Sequence, residues 1–179
     1  MLKKVPGFAV WLTGLPSSGK TTLANALSLL LSERGISAQI LDSEDLRRRL
    51  TPHPTYSHEE RDWFYDMVIF LAELLTENGV NVLISATAPR RAYRGEARSR
   101  IKRFAEVYVD CPEEICRERD SKGLWEQADK GKITGLPGAG VPYEPPDSPE
   151  VKVNTAQLSI EEAAHHSLNE LEKQGLFQV

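Results

Sequence analysis

The chain has 179 residues, enough for one domain with a well-buried core, and its apolar and charged fractions are those of a globular protein. A formal net charge of −4 weighs against a nucleic-acid binder, which is ordinarily basic. No apolar run approaches a membrane span, residues 1–6 are too short for a signal peptide, and Cys111 and Cys116 make neither a disulfide framework nor a zinc site, so a cytoplasmic protein with reduced, structural cysteines is expected.

Residues 8–12 form a short apolar run of strand type. It leads into Gly14-Leu15-Pro16-Ser17-Ser18-Gly19-Lys20-Thr21, which reads G-x-x-x-x-G-K-T, the phosphate-binding loop of nucleoside-triphosphate enzymes. Glycines let the backbone wrap an anion closely, and successive N–H groups converge on it at the positive end of the next helix. Lys20 reaches the β- and γ-phosphates of ATP, the Thr21 hydroxyl holds Mg²⁺, and Thr22 belongs to the same anion-binding turn. Leu23, Ala26, Leu27, Leu30 and Leu31 then recur at helical spacing, completing the strand–loop–helix order that this motif requires.

A second strand is predicted over residues 37–41, followed by Asp42-Ser43-Glu44-Asp45 and a short helix over 44–50. Asp42 and Glu44 are candidate carboxylates for a phosphoryl transfer, whereas Asp45 reads as a cap or surface residue. Ser57-His58-Glu59-Glu60 reads as a capping box opening a long helix, with Trp63, Met67, Phe70, Leu71, Leu74 and Leu75 as its apolar stripe. A buried strand over 80–85, a helix over 91–102 and a strand over 104–109 follow, and Asp110 and Pro112 open another helix. Arg90, Arg91, Arg94, Arg98, Arg100, Lys102 and Arg103 crowd one segment. Those from Arg98 onward read as a solvated helix face, and those nearest the strand end as anion contacts.

Residues 122–130 look helical and charged, and 131–149 are rich in Gly and Pro without periodicity, so together they read as a lid. A last strand at 151–153 and a helix capped by Ser159 end the pattern. His165 and His166 read as surface residues, and His53 and His58 lack a ligand set. Alternating strands and helices predict a single α/β domain over residues 1–179. Its fold is a three-layer P-loop NTPase arrangement with a mostly parallel central sheet, helices on both faces and a mobile lid near 119–149. The ends of the first three strands should converge on one cleft, because ligands bind beyond the carboxyl ends of parallel strands. No Asn-Lys-x-Asp stretch, nucleophile elbow or dinucleotide fingerprint is present.

From about Gly7 to Gln174 the chain resembles the adenylylsulfate (APS) kinases. The resemblance is carried by Trp11-Leu12-Thr13-Gly14-Leu15, by Leu41-Asp42 with Arg47, and by Pro89-x-Arg91-x-x-Arg94. It continues in Asp110-x-Pro112-x-x-x-Cys116-x-x-Arg119-Asp120-x-Lys122-Gly123-Leu124 and Pro142-Tyr143-Glu144. It implies transfer of the γ-phosphate of ATP to the 3′-hydroxyl of APS, with Mg²⁺, in sulfate assimilation. Lys20, Asp42 and Glu44 would be catalytic, Arg119 would lie by the ATP adenine, and Arg47 and Arg61 would grip the phosphosulfate. Tyr56 would stack on the substrate adenine, with Asp42, Arg91, Lys122 and Leu136 also on the substrate side. Four positions depart from the pattern. Glu44 replaces an aspartate, Phe64 replaces an asparagine that donates a hydrogen bond, Leu136 replaces an aromatic wall, and Ala88 replaces a serine described as a phosphorylated intermediate. The last leaves direct in-line transfer as the route. The departures also leave open a kinase for another hydroxyl acceptor (a nucleoside, sugar or antibiotic) or a nucleotide-binding regulator, and a homodimer through an apolar patch.

Overall fold

The computed structural model describes residues 5–177; residues 1–4, part of the segment judged too short for a signal peptide, lie outside the described residues, as do 178–179. The order of elements is β1 (Ala9–Thr13), α1 (Lys20–Glu33), β2 (Ala38–Asp42), α2 (Ser43–Leu50), α3 (His58–Glu77), β3 (Asn81–Ser85), α4 (Arg91–Arg100) and β4 (Phe104–Asp110). Then come α5 (Glu113–Arg119), α6 (Leu124–Asp129), β5 (Leu136–Pro137), β6 (Gly140–Val141), β7 (Val151–Asn154) and α7 (Ile160–Lys173). A five-stranded sheet of order β2-β3-β1-β4-β7 forms the centre, and every pairing in it is parallel.

Strand β1 is central because it is apolar on both faces. Phe8, Val10 and Leu12 enter a cluster with Leu23, Leu27 and Leu31 of α1 and Ala164, Leu168 and Leu171 of α7. The alternate residues Ala9 and Trp11 enter a second cluster with Phe64, Tyr65, Val68, Ile69 and Ala72 of α3 and Tyr93 and Ala97 of α4. This alternation of successive side chains builds the three layers. The buried Trp11 indole donates to the Ala86 carbonyl at 3.0 Å, so its polar atom is satisfied.

Three expectations are corrected here. The stripe predicted for α3 is only in part its core face: Leu71 and Leu75 pack against the second cluster, but Trp63, Phe70 and Leu74 are 45%, 46% and 46% exposed, while Phe64, Val68 and Ile69 are at most 1% exposed. The helix is apolar over a wide arc, so periodicity alone does not say which part meets the sheet. The basic run from Arg98 is only in part a solvated face: Arg98 and Lys102 are exposed, but the arginines are paired. Arg98 pairs with both carboxylate oxygens of Glu150 at 2.6 and 2.7 Å, Arg100 holds Glu73 and Asp66, and Arg103 donates to the carbonyls of Pro6 and Leu176. The lid segment has the helix expected near 122–130, as α6, but the stretch 131–149, read as an aperiodic loop, carries β5 and β6. Trp125 and Leu136 form a third apolar cluster with Cys111 and Cys116, against which Leu15 packs, and the Trp125 indole donates to the Pro16 carbonyl at 3.3 Å. Gly138 permits this approach, since a Cβ there would lie 2.7 Å from the Trp125 ring and 3.0 Å from Leu15. Both cysteines are free and buried, as expected.

Candidate active site

One cleft of about 910 Å³ opens at the carboxyl ends of β1, β2 and β3. Its floor is the phosphate loop. Gly19, at φ 97°, turns the chain into α1, a conformation that suits glycine. Lys20 Nζ donates back to the carbonyls of Gly14 at 3.0 Å and Leu15 at 2.7 Å. Burial pushes the Lys20 ammonium down to about 8, against the pull of nearby Cys116 and Asp42. Pro16, Ser17, Thr21 and Thr22 also line the cleft, whereas Leu15 packs toward the lid cluster and Ser18 is buried beneath the loop.

The Thr21 hydroxyl donates to Asp42 Oδ2 at 2.7 Å, and the Ser85 hydroxyl lies 3.0 Å from it. The other oxygen of Asp42 accepts the backbone N–H groups of Glu44 at 2.9 Å and Asp45 at 3.3 Å. Asp42 is therefore the N-cap of α2, and of the cap or surface role expected for Asp45 the surface one holds, since Asp45 pairs there with Arg48. These clustered hydroxyl and carboxylate oxygens are hard donors of the kind Mg²⁺ prefers. Among the described residues no three His, Cys, Asp or Glu side chains group as a metal site. Glu44 reaches across the cleft mouth to an ion pair with Lys122 of the lid.

Arg119 marks one end of the cleft. Its guanidinium donates to the Thr155 carbonyl at 2.5 Å and hydroxyl at 3.2 Å, and that hydroxyl donates to the Ser18 carbonyl at 2.8 Å. The last turn of α5 is thereby fastened to the phosphate loop. At the other end stand Arg47, Tyr56, Arg61 and Leu136. Arg61 is buried and donates to the Gly135 carbonyl at 2.7 Å, tying α3 to the lid.

The capping box expected at the start of α3 is only half made. Ser57 Oγ accepts from Glu60 N at 3.2 Å, but the Glu60 carboxylate turns instead to Thr55 Oγ1 at 2.7 Å, Tyr56 N at 3.2 Å and Arg47 Nη1 at 3.1 Å. Burial opposes charge on Glu60, yet its bonds to Thr55 and Tyr56 and the Arg47 charge hold its pKa below the ordinary value.

Arg91 is not brought to the cleft. Its backbone N–H donates to Glu144 Oε2 at 2.7 Å, and its side chain donates to the Pro145 carbonyl at 2.6 Å and pairs with Asp147. The segment carrying Pro142-Tyr143-Glu144 lies against the start of α4 and takes up these Arg91 donors. Arg94 is buried there too, between Glu106 at 2.5 Å and the Glu144 carbonyl at 2.6 Å. Phe64, read from the sequence as a cleft position, is wholly buried beneath Arg47. Ala88 is buried at φ 42° with its N–H bonded to the Tyr65 hydroxyl at 3.0 Å. Sequence reasoning passed over Ser85, Thr155 and Glu60; the first lies at a strand end, the signal that would have found it.

A family model described as adenylylsulphate kinase matches residues 6–154. The chain belongs to the adenylylsulphate kinase family. An adenylyl-sulfate kinase from Rippkaea orientalis is 42% identical over 172 residues, covering 96% of this chain and 95% of that protein. One from Synechococcus sp. is 41% identical over the same length, with 96% and 98% covered. Among solved structures, the Mycobacterium tuberculosis APS kinase in complex with AMPPNP and APS superposes with a TM-score of 0.87 at 35% identity, covering 93% of this chain and 98% of that one. Shikimate kinase from Aquifex aeolicus, at 20% identity and a TM-score of 0.59, shares the fold. In this chain the Pro142-Tyr143-Glu144 segment is a structural part: the Tyr143 hydroxyl lies 3.0 Å from the Thr13 hydroxyl, and the Glu144 carboxylate accepts the Arg91 N–H at the start of α4.

Proposed function

We propose that the chain transfers the γ-phosphate of ATP to the 3′-hydroxyl of APS, by direct in-line attack. The observation that carries this reading is the continuity of one cleft from Arg119, over Lys20 and Thr21, to Arg47, Tyr56 and Arg61. Donor and acceptor ends share one volume, in a chain of this family. ATP lies with its adenine by Arg119 and its phosphates on the loop, where Lys20 exchanges the Gly14 and Leu15 carbonyls for phosphate oxygens. Thr21, Asp42 and Ser85 hold Mg²⁺ on this reading, and the ion, when bound, neutralises charge on the β- and γ-phosphates.

The two carboxylates divide the work. Both oxygens of Asp42 are committed, to Thr21 and to the start of α2, which makes it a positioning group. Glu44 lines the cleft with its carboxylate bound to Lys122, so exchange of that ion pair frees it to accept the acceptor proton. The extra methylene relative to aspartate lets Glu44 reach the lid. Tyr56 and Leu136 flank the acceptor base, and Arg47 and Arg61 meet its anion. A cytoplasmic setting, and a homodimer covering Trp63, Phe70 and Leu74 of α3, complete the reading.

Purified protein with Mg²⁺ and ATP is expected to release ADP only when APS is added. Absence of APS-dependent turnover would overturn the assignment. A second reading, another hydroxyl acceptor on the same scaffold, is favoured by the apolar Leu136 in the cleft wall, and ADP release with nucleosides or sugars in place of APS separates the two.

A further inference from the structure

Helix α2, which carries Arg47, has no fully buried residue and rests on the core through the partly buried Leu46 and Leu50 alone, so its packing leaves the long Arg47 side chain to be placed by other contacts. The contacts that do fix it come from α3. The guanidinium carbon of Arg47 lies 3.8 Å from the centroid of the Phe64 ring and 5.2 Å from that of Tyr56. At the shorter distance the cation rests on the negative face of the phenyl ring in van der Waals contact. Phe64 is 0% exposed, so water does not screen the contact from its side. Glu60 takes Arg47 Nη1 at 3.1 Å, and its other oxygen holds Tyr56 N at 3.2 Å, where Tyr56 has φ 55°. The Arg47 guanidinium also lies close enough to the Tyr65 hydroxyl to interact with it, and Arg47 and Tyr56 both line the cleft.

We propose that Phe64 is the positioning residue of the acceptor end, a buried platform that holds Arg47 flat while Glu60 fixes its edge and aligns Tyr56 beside it. A planar base beside Tyr56 and an anionic group at the part of Arg47 that lines the cleft would then be read together. That selects an acceptor carrying both, as a nucleotide-type acceptor does, over a neutral sugar or nucleoside. Phe64 works through Arg47 and does not touch the acceptor. The inference rests on the reading of this end of the cleft as the acceptor site.

The test is Phe64→Leu, which keeps an apolar side chain and removes the ring, combined with Arg47→Ala. In the wild type the Nε–H proton of Arg47 should be shifted upfield by the ring, and Phe64→Leu should return it toward the free-arginine position while other amide signals persist. KM for APS should rise about thirtyfold with KM for ATP unchanged, the size expected for a desolvated cation–π contact. In the Arg47→Ala background, Phe64→Leu should add no further rise. An unshifted Arg47 signal in the wild type overturns the proposal, even if the variant fails to fold. So do equal rises in both KM values, or effects of the two substitutions that multiply. If the wild type does not turn over APS, the proposed reaction falls, and the Arg47 signal still decides the platform.

Discussion

At the scale of single residues, the phosphate loop was legible because its chemistry is local in sequence, whereas the groups that support the site are not. Lys20 titrates near 8 in the folded chain against an ordinary 10.5, because burial penalises its charge. Between these values the unfolded chain binds the proton that the native one has released, so this group's contribution to stability rises with pH across that window and is lost as pH falls through about 8. Lys20→Met should therefore show its largest gain in thermal midpoint over the wild type near pH 7, a gain that shrinks toward pH 10. Bound triphosphate restores charge to the ammonium, so ATP binding at pH 9 should take up a proton, read by calorimetry in buffers of different ionisation enthalpy; Lys20→Met should abolish the uptake. For the carboxylates, Glu44→Gln should lower kcat by about 10²–10⁴-fold with ATP affinity kept, as expected for a lost general base. Asp42→Ala should in addition cost about 1 kcal/mol as a lost helix cap, measured by urea unfolding. Glu60 escaped notice because its carboxylate leaves the capping box it belongs to by spacing, and Phe64 was misread because sequence gives its position on α3 but not the guanidinium that covers it.

Among elements, periodicity found the helices and strands and missed how they are fastened. Asp42 ends β2 by pairing with Ser85 in the sheet and begins α2 by turning its side chain onto the next N–H groups. One residue serving two elements blurs a boundary drawn from pattern alone. The start of α4 is held by partners far away in sequence: Glu144 on Arg91, and Arg94 between Glu106 and the Glu144 carbonyl. No spacing rule links these positions, so Arg91 looked like an anion contact. Removing the Glu106 carboxylate leaves the Arg94 guanidinium buried without its charge partner, and Glu106→Ala should cost about 3–5 kcal/mol in urea unfolding. Glu144→Ala, which removes an acceptor at a helix start, should cost about 1 kcal/mol and leave KM for ATP unchanged.

On the scale of the whole molecule, the alternation of strands and helices was enough to give a parallel sheet with two covered faces, since each parallel connection must cross over. The lid was legible as a change of composition, but its seat on the phosphate loop was not, because Trp125, Leu136 and Leu15 meet only in three dimensions. Gly138→Ala would press a methyl group into Trp125 and should unseat the lid; faster proteolytic cleavage within residues 131–149 and a raised KM for ATP are the expected results. The central place of β1 carries a further consequence, for synthesis. Residues 9–13 leave the ribosome early, yet the neighbours they pair with are residues 82–85 and 104–108. The most apolar strand must therefore wait, unpaired on both edges, until nearly half of the chain has been made, and with one edge still open until residues 104–108 follow. Contacts so distant in sequence make folding slow and leave nascent strand edges open to other chains. Protection of nascent chains shorter than about residue 85 by a chaperone should thus raise the yield of folded protein more than protection at any later stage.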